Sequence, residues 1–157
     1  MANAEERERL IGRLAAAPGH FQQLLARLED ADSVTSAQEG EWSPHEVVAH
    51  LRAANDILEP RILQVLVRPN TPLIGFDETL WVHVLGFASV PVTDLLQTMA
   101  WRRKEVVHAL RAIPPEAWDR TGTHEVRGPL TVFELAAQIA DHEDEHLAQI
   151  AAAIEGH

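Results

Sequence analysis

Apolar residues recur three and four positions apart in four separate stretches of the chain, the spacing that puts them on one stripe of an α-helix facing a core. In the first stretch Leu10, Leu14, Ala17, Phe21, Leu24 and Leu28 keep one register across Pro18-Gly19. A proline inside a helix removes one backbone hydrogen bond, so a kink is expected there rather than an end, and helix one is predicted over about residues 4 to 30. A polar stretch from Asp32 to Glu41 follows. Ser43-Pro44-His45-Glu46 then supplies an N-cap serine, a proline at the first helical position and a glutamate three residues after the cap, which together make a strong helix start. The stripe Val47, Leu51, Ala54, Leu58, Ile62 and Val65 carries helix two to about Val67, where Arg68-Pro69-Asn70-Thr71-Pro72 stops it.

The segment Leu73 to Val90 mixes Gly75, Gly86, Trp81 and His83 and reads as a long connection holding a short helix, a form that suits a lid over one end of a bundle. Helix three is predicted from Val92 to Ala112 on Val92, Leu95, Met99, Val106, Leu110 and Ile113, with Pro114-Pro115 ending it. Arg102 falls inside that stripe and is expected to snorkel or to pair with a core carboxylate. After the turn-rich stretch Trp118 to Leu130, a second capping box, Thr131 with Glu134, opens helix four, which carries Val132, Leu135, Ile139, Ile150 and Ala153 on one face. The chain therefore reads as all-α, with no internal repeat: a single domain over residues 1–157, built as an antiparallel-type four-helix bundle with a long connection between helices two and three.

Charge narrows the partners. The chain has 157 residues, with 13 Lys and Arg against 24 Asp and Glu, a formal charge of −11. A surface this acidic repels phosphate backbones and anionic lipid, so nucleic acid and membranes are excluded and a small-molecule substrate is expected. With no cysteine, neither a disulfide framework nor a zinc-thiolate site is possible, and a reducing compartment, the cytoplasm by default, is expected. The first residues are charged where a signal peptide would turn apolar, and no apolar run approaches the ~18 residues of a membrane span.

Nine histidines stand out against this background. His142 and His146 lie four apart, so both imidazoles project from one side of helix four and can grip one ion. Extending the stripe from Leu135 and Ile139 reaches both before it resumes at Ile150, so both rings are expected to point inward. His50 sits beside Val47, Leu51 and Ala54 on the inner edge of helix two. Bundles build metal sites from facing helices, and three imidazoles from two helices suit zinc, nickel, copper or ferrous iron, leaving positions open for a reactant. His142-Glu143-Asp144-Glu145-His146 also matches the short H-E-x-x-H pattern of zinc peptidases. The downstream Gly and His of the longer motif are absent, however, since positions 149 and 152 are Gln and Ala. Glu143 is a candidate general base beside the site, set against the plainer reading of a solvated charge on the helix flank.

Glu41-Trp42-Ser43-Pro44-His45-Glu46-Val47-Val48-Ala49-His50-Leu51, then Gly128-Pro129-Leu130-Thr131 and Ala140-Asp141-His142 through His146-Leu147-Ala148-Gln149-Ile150, resemble the DinB/YfiT-like superfamily in order and spacing over essentially the whole chain. The resemblance implies a four-helix bundle with a divalent metal held by one histidine of the second helix and an H-x-x-x-H pair of the last, here His50, His142 and His146. The ion it implies is zinc or nickel, with iron as a further candidate. Members include metal-dependent hydrolases, transferases that use low-molecular-weight thiols such as bacillithiol or mycothiol, and mycothiol-dependent maleylpyruvate isomerases. The expected activity is transfer of such a thiol to a small electrophile, or hydrolysis of one, and a homodimer is expected by the same analogy. Because the chain has no cysteine, a thiolate would have to arrive with a ligand. The alternative is a non-catalytic, stress-associated bundle whose histidines are structural or bind metal for stability alone. Trp42, Trp81, Trp101 and Trp118 are expected as packing anchors, His45 as solvent-facing, Asn55 and Asp56 as supports behind His50, and His83 or Trp81 as pocket lining if their connection is a lid.

Overall fold

The structure is a computed structural model that describes residues 2–27 and 42–155. Four long helices dominate it, and three of them start on reciprocal caps. Helix α1, Ala4–Leu25, opens with the Asn3 side chain accepting from the Glu6 N–H and the Glu6 carboxylate accepting from the Asn3 N–H. Pro18 lies inside α1 without ending it. The helix stops at Leu25, short of the expected residue 30; Leu28 and the polar stretch Asp32 to Glu41 lie outside the described residues. Helix α2, Pro44–Val67, carries the expected box, with Glu46 accepting from both the N–H and the hydroxyl of Ser43 at 2.8 Å. The connection after α2 contains a short helix α3, Glu78–Leu85, and a 3₁₀ turn, Phe87–Ser89, both packed against α2. Helix α4 spans Val92–Ala112. Helix α5, Val132–Glu155, starts on the Thr131–Glu134 box.

The turn-rich stretch is more ordered than a wholly helical reading allows. Strand β2, Thr121–His124, pairs antiparallel with β3, Gly128–Thr131, and parallel with a two-residue β1, Pro72–Leu73, in the order β1-β2-β3. The Val126 and Arg127 N–H groups donate to His124 Nδ1 in the turn, and Gly128 takes a positive φ of 76°, a conformation with little cost for glycine. Gly122 is required for a different reason. A Cβ there would stand 2.8 Å from a Val65 methyl and 2.9 Å from Leu73, so the strand lies directly on α2 only without a side chain.

The helices do not pack in chain order. The main contacts are α1 with α4 and α5, and α2 with α4 and α5, so α1 and α2 are diagonal partners, as are α4 and α5. A diagonal step has to cross an end of the bundle, and the connections from Ala26 to Ser43 and from Ile113 to Thr131 are long enough for it. Two apolar clusters fill the interior. One gathers Leu10, Leu14, Leu58, Ile62, Leu110 and Leu135; the other gathers Phe21, Val47, Leu51, Leu95, Met99 and Ile150. Among the described residues no helix is long and apolar enough to cross a membrane.

Candidate metal centre

His50, from the second turn of α2, meets His142 and His146, one turn apart on α5. His50 Nε2 lies 3.1 Å from His142 Nε2, and His146 Nε2 lies 3.1 Å from the same atom. One nitrogen from each ring falls within 4.8 Å of the others, close enough together for one ion to be held by all three. The arrangement depends on helix geometry at each step. The Ser43 cap fixes where α2 begins and hence which residue of its second turn faces α5, and a four-residue separation puts the two α5 rings on the same side.

The tautomer of His146 is set from outside the cluster. The carbonyl oxygen Gln149 Oε1 accepts from His146 Nδ1 at 2.7 Å, which leaves the His146 Nε2 lone pair turned toward the other two rings. His50 is only 7% exposed, and its Nδ1 has no hydrogen-bond partner among the described residues, so the ring gains its polar interactions through Nε2. Burial, and then the neighbouring rings of His142 and His146, lower the His50 pKa to about 4. Burial followed by His146 lowers that of His142 as well, against the opposing pull of Glu143 and Glu145. Neutral imidazoles with converging lone pairs form a donor set that a divalent cation fits. Trp42 covers the cluster, its ring 4.9 Å from His50 and stacked at 12° over His146.

The burial of α5 reverses one expectation. His142 and His146 are half-buried at the edge of the core, whereas Glu143 points to its centre and is 0% exposed. Both Glu143 oxygens are engaged: Oε2 accepts from Arg103 Nη1 at 2.8 Å, and Oε1 accepts from Arg103 Nη2 at 2.7 Å and Asn55 Nδ2 at 2.8 Å. Glu143 is therefore neither a solvated flank charge nor an oxygen free to take a proton from a reactant. Arg103 also donates to Glu59 and to the Leu14 carbonyl. The network joins α1, α2, α4 and α5 at the residue next to His142. Of the residues expected behind His50, Asn55 belongs to it, while Asp56 pairs with Arg52 and Arg102 instead.

Other expectations are corrected in the same way. The core position on the α4 stripe belongs to Arg103, while the half-buried Arg102 makes the pairing with a carboxylate expected of it, with Asp56. His45 is buried, its Nε2 donating to the Val90 carbonyl at 2.8 Å, because that contact ties the start of α2 to the end of the α3 connection. Of the four tryptophans, Trp118 is a buried anchor against Phe133, whereas Trp81 and Trp101 are exposed. Trp42 and Gln149 were not singled out for the site. The available signals were a tryptophan immediately before the cap of the His50 helix and a glutamine three residues beyond His146.

Two cavities flank the cluster. One, of about 490 Å³, is lined by Trp42, Glu46, Ala49, His50, Val82 and His83 together with the 3₁₀ turn, so the α3 connection forms one of its walls. The other, of about 730 Å³, opens beside His142 and is rimmed by Arg61, Glu125, Arg127, Asp141 and Glu145.

Residues 13–150 match the family model of the DinB superfamily. Two proteins of Oceanobacillus iheyensis, both provisionally named metal-dependent hydrolases, are similar in sequence. One is 23% identical over 127 residues, covering 81% of this chain and 73% of its own. The other is 22% identical over 140 residues, covering 89% and 81%. Among solved structures, YfiT from Bacillus subtilis, described as "a probable metal-dependent hydrolase with an unusual four-helix bundle topology", superposes with a TM-score of 0.89 at 17% identity. That match covers 98% of this chain and 88% of YfiT, and the likeness is one of fold.

Proposed function

Because the chain belongs to the DinB superfamily, we propose that it is a metal-dependent enzyme in which His50, His142 and His146 hold one divalent cation, zinc or nickel first and iron next, and act on a small electrophilic substrate. The observation that carries this reading is the convergence of three Nε2 atoms from two helices beside two cavities. The names of its relatives favour hydrolysis. Transfer of a low-molecular-weight thiol uses the same site with a different nucleophile, and that thiol enters as a cosubstrate, since the chain has no cysteine to supply one. Bound at such a site, a divalent cation supplies Lewis acidity and makes an anionic nucleophile available near neutral pH.

The residues of the chain divide the remaining work. Gln149 holds His146 in the tautomer that presents Nε2. Burial keeps His50 neutral, Trp42 excludes water from one side of the rings, and the Arg103–Glu143 pair fixes the rotation of α5 from behind. Three protein ligands leave coordination positions for reactants, the pattern of a catalytic rather than a structural site.

Elemental mass spectrometry on untagged protein, wild type beside His50→Ala, His142→Ala and His146→Ala, tests the reading. About one metal per chain is expected, lost in each variant. No metal after incubation with zinc, nickel and ferrous iron would sink it. Turnover with and without added thiol then separates transfer from hydrolysis.

A further inference from the structure

The cavity beside His50 offers very little charge to a ligand. Its walls include Trp42, Ala49, Val82 and Ala88. Of its polar groups, Glu46 already accepts from the N–H and hydroxyl of Ser43, and the Ser89 hydroxyl donates to the Gly86 carbonyl. The remaining polar groups are the Trp42 indole N–H, His50, turned toward the cluster, and His83, whose ring makes no hydrogen bond among the described residues. The other cavity differs sharply, with arginines and carboxylates around its rim.

In the metal-free protein an anion entering the first chamber would give up hydration without a cationic partner and would meet the Glu46 carboxylate, and a cation would find only that one carboxylate, already engaged by Ser43. An apolar molecule would gain by covering Trp42 and Val82, and a single polar group on it could reach a single polar partner. A volume of about 490 Å³ lies within the usual range for small-ligand sites.

We propose that this chamber is the substrate-binding site and that it takes an uncharged, largely apolar small molecule whose one polar group faces His83. The assignment of the ligand as substrate rests on the function proposed above; the binding preference rests on the chamber alone.

The test uses the full chain and two probes sharing one aromatic skeleton, neutral N-phenyl-1-naphthylamine and the anionic 8-anilino-1-naphthalenesulfonate, whose fluorescence rises in apolar surroundings. The neutral probe is expected to bind at least ~10-fold more tightly than the sulfonate, and to be weakened about 10-fold by Ala88→Asp or Ser89→Asp. Both positions are exposed on the 3₁₀ turn, so neither variant puts charge into the core. His83→Ala should weaken the neutral probe by roughly 3-fold, the scale of one lost hydrogen bond. Equal binding of the two probes in His142→Ala, where no cation offsets the sulfonate charge, or indifference to both aspartates, would overturn the inference. His142→Ala separates this result from the metal reading, because His142 does not line the chamber. Discrimination between probes is expected to persist in His142→Ala, which the chamber does not touch; discrimination in a wild type that holds no metal supports the chamber while the metal reading fails. Metal bound in wild type together with indifference to the aspartates means the reverse.

Discussion

Arg103 and Glu143 form a two-pronged ion pair at the centre of the bundle, with Nη1 and Nη2 donating to Oε2 and Oε1 at 2.8 and 2.7 Å and the two residues 2% and 0% exposed. The pair ties α4 to α5, helices that are diagonal across the bundle and share little direct packing. It also fixes α5 at the residue immediately after His142. Burial alone would favour an uncharged guanidinium, but the hydrogen bonds and charge of Glu143, reinforced by Glu59, raise the Arg103 pKa further above its ordinary value.

Arg103→Met leaves Glu143 and Glu59 buried without a counter-charge and should cost about 3–5 kcal/mol of folding stability, more than Glu143→Leu, which leaves Arg103 paired with Glu59. The double variant should cost less than the sum of the two single losses, because once Arg103 is gone the removal of Glu143 takes away one of the two carboxylates left without a counter-charge. Urea denaturation of the three variants checks this. Full additivity of the single losses would mean that the two residues do not act as a pair.

A single guanidinium serves two carboxylates here, and the surplus falls on Glu59. Its pKa is raised by burial first, which outweighs Arg103, and by the charge of Glu143. A carboxyl with a folded-state pKa above its unfolded value binds more protons when folded, so its contribution to stability is full at low pH and is lost as pH rises through the folded pKa. Glu59→Gln keeps the shape, removes the titration, and should flatten the decline in stability on the alkaline side of the ordinary carboxylate range. The check is a series of denaturation midpoints across pH, wild type beside variant. An unchanged slope would mean that Glu59 does not titrate abnormally.

Helix periodicity revealed the bundle but left the identity of its buried charges open, for a reason visible in α4 and α5. Positions three and four residues beyond a buried one lie on the same side of a helix. Met99 therefore points equally to Arg102 and Arg103, and Ile139 to His142 and Glu143. The choice is made across the bundle, where Arg103 and Glu143 find each other while Arg102 finds Asp56. The three clustered histidines were legible because their spacing and facing helices suffice to bring them together. The strands were not: Thr121–His124 and Gly128–Thr131 are four residues each, contain glycine and proline, and lack the alternation of apolar residues that marks a strand. The order of the helices was hidden as well, because a long connection permits either a neighbouring or a diagonal step.

His50 gives a prediction of opposite sign to Glu59. Its folded-state pKa of about 4 lies below the ordinary value near ~6.5. The unfolded chain therefore binds the proton first, and stability of the metal-free protein, full above about pH 6.5, is lost as pH falls toward about 4. At ~1.4 kcal/mol per unit, this one ring accounts for up to about 3 kcal/mol. Metal-free wild type should lose more stability than metal-free His50→Gln between about pH 7.5 and about pH 4.5. Parallel losses in the two proteins would show that His50 is not held neutral by burial.

The last prediction concerns Gln149, which reaches the cluster only through His146. Its Oε1 accepts from Nδ1 at 2.7 Å, so the proton is kept on the far side of the ring and Nε2 is left with a lone pair. Gln149→Leu preserves the size of an exposed side chain and removes only the acceptor, so folding stability should change by less than about 0.5 kcal/mol. Metal affinity should nevertheless fall about 10- to 100-fold, the usual loss when the partner behind a ligating histidine is removed. Gln149→Glu should restore most of that affinity, because a carboxylate accepts from Nδ1 and makes the imidazole a better donor. Zinc competition against a chromophoric chelator reads both variants. An unchanged affinity in Gln149→Leu would show that His146 reaches the required tautomer unaided, and a loss accompanied by unfolding would show that Gln149 acts on the helix rather than on the ring.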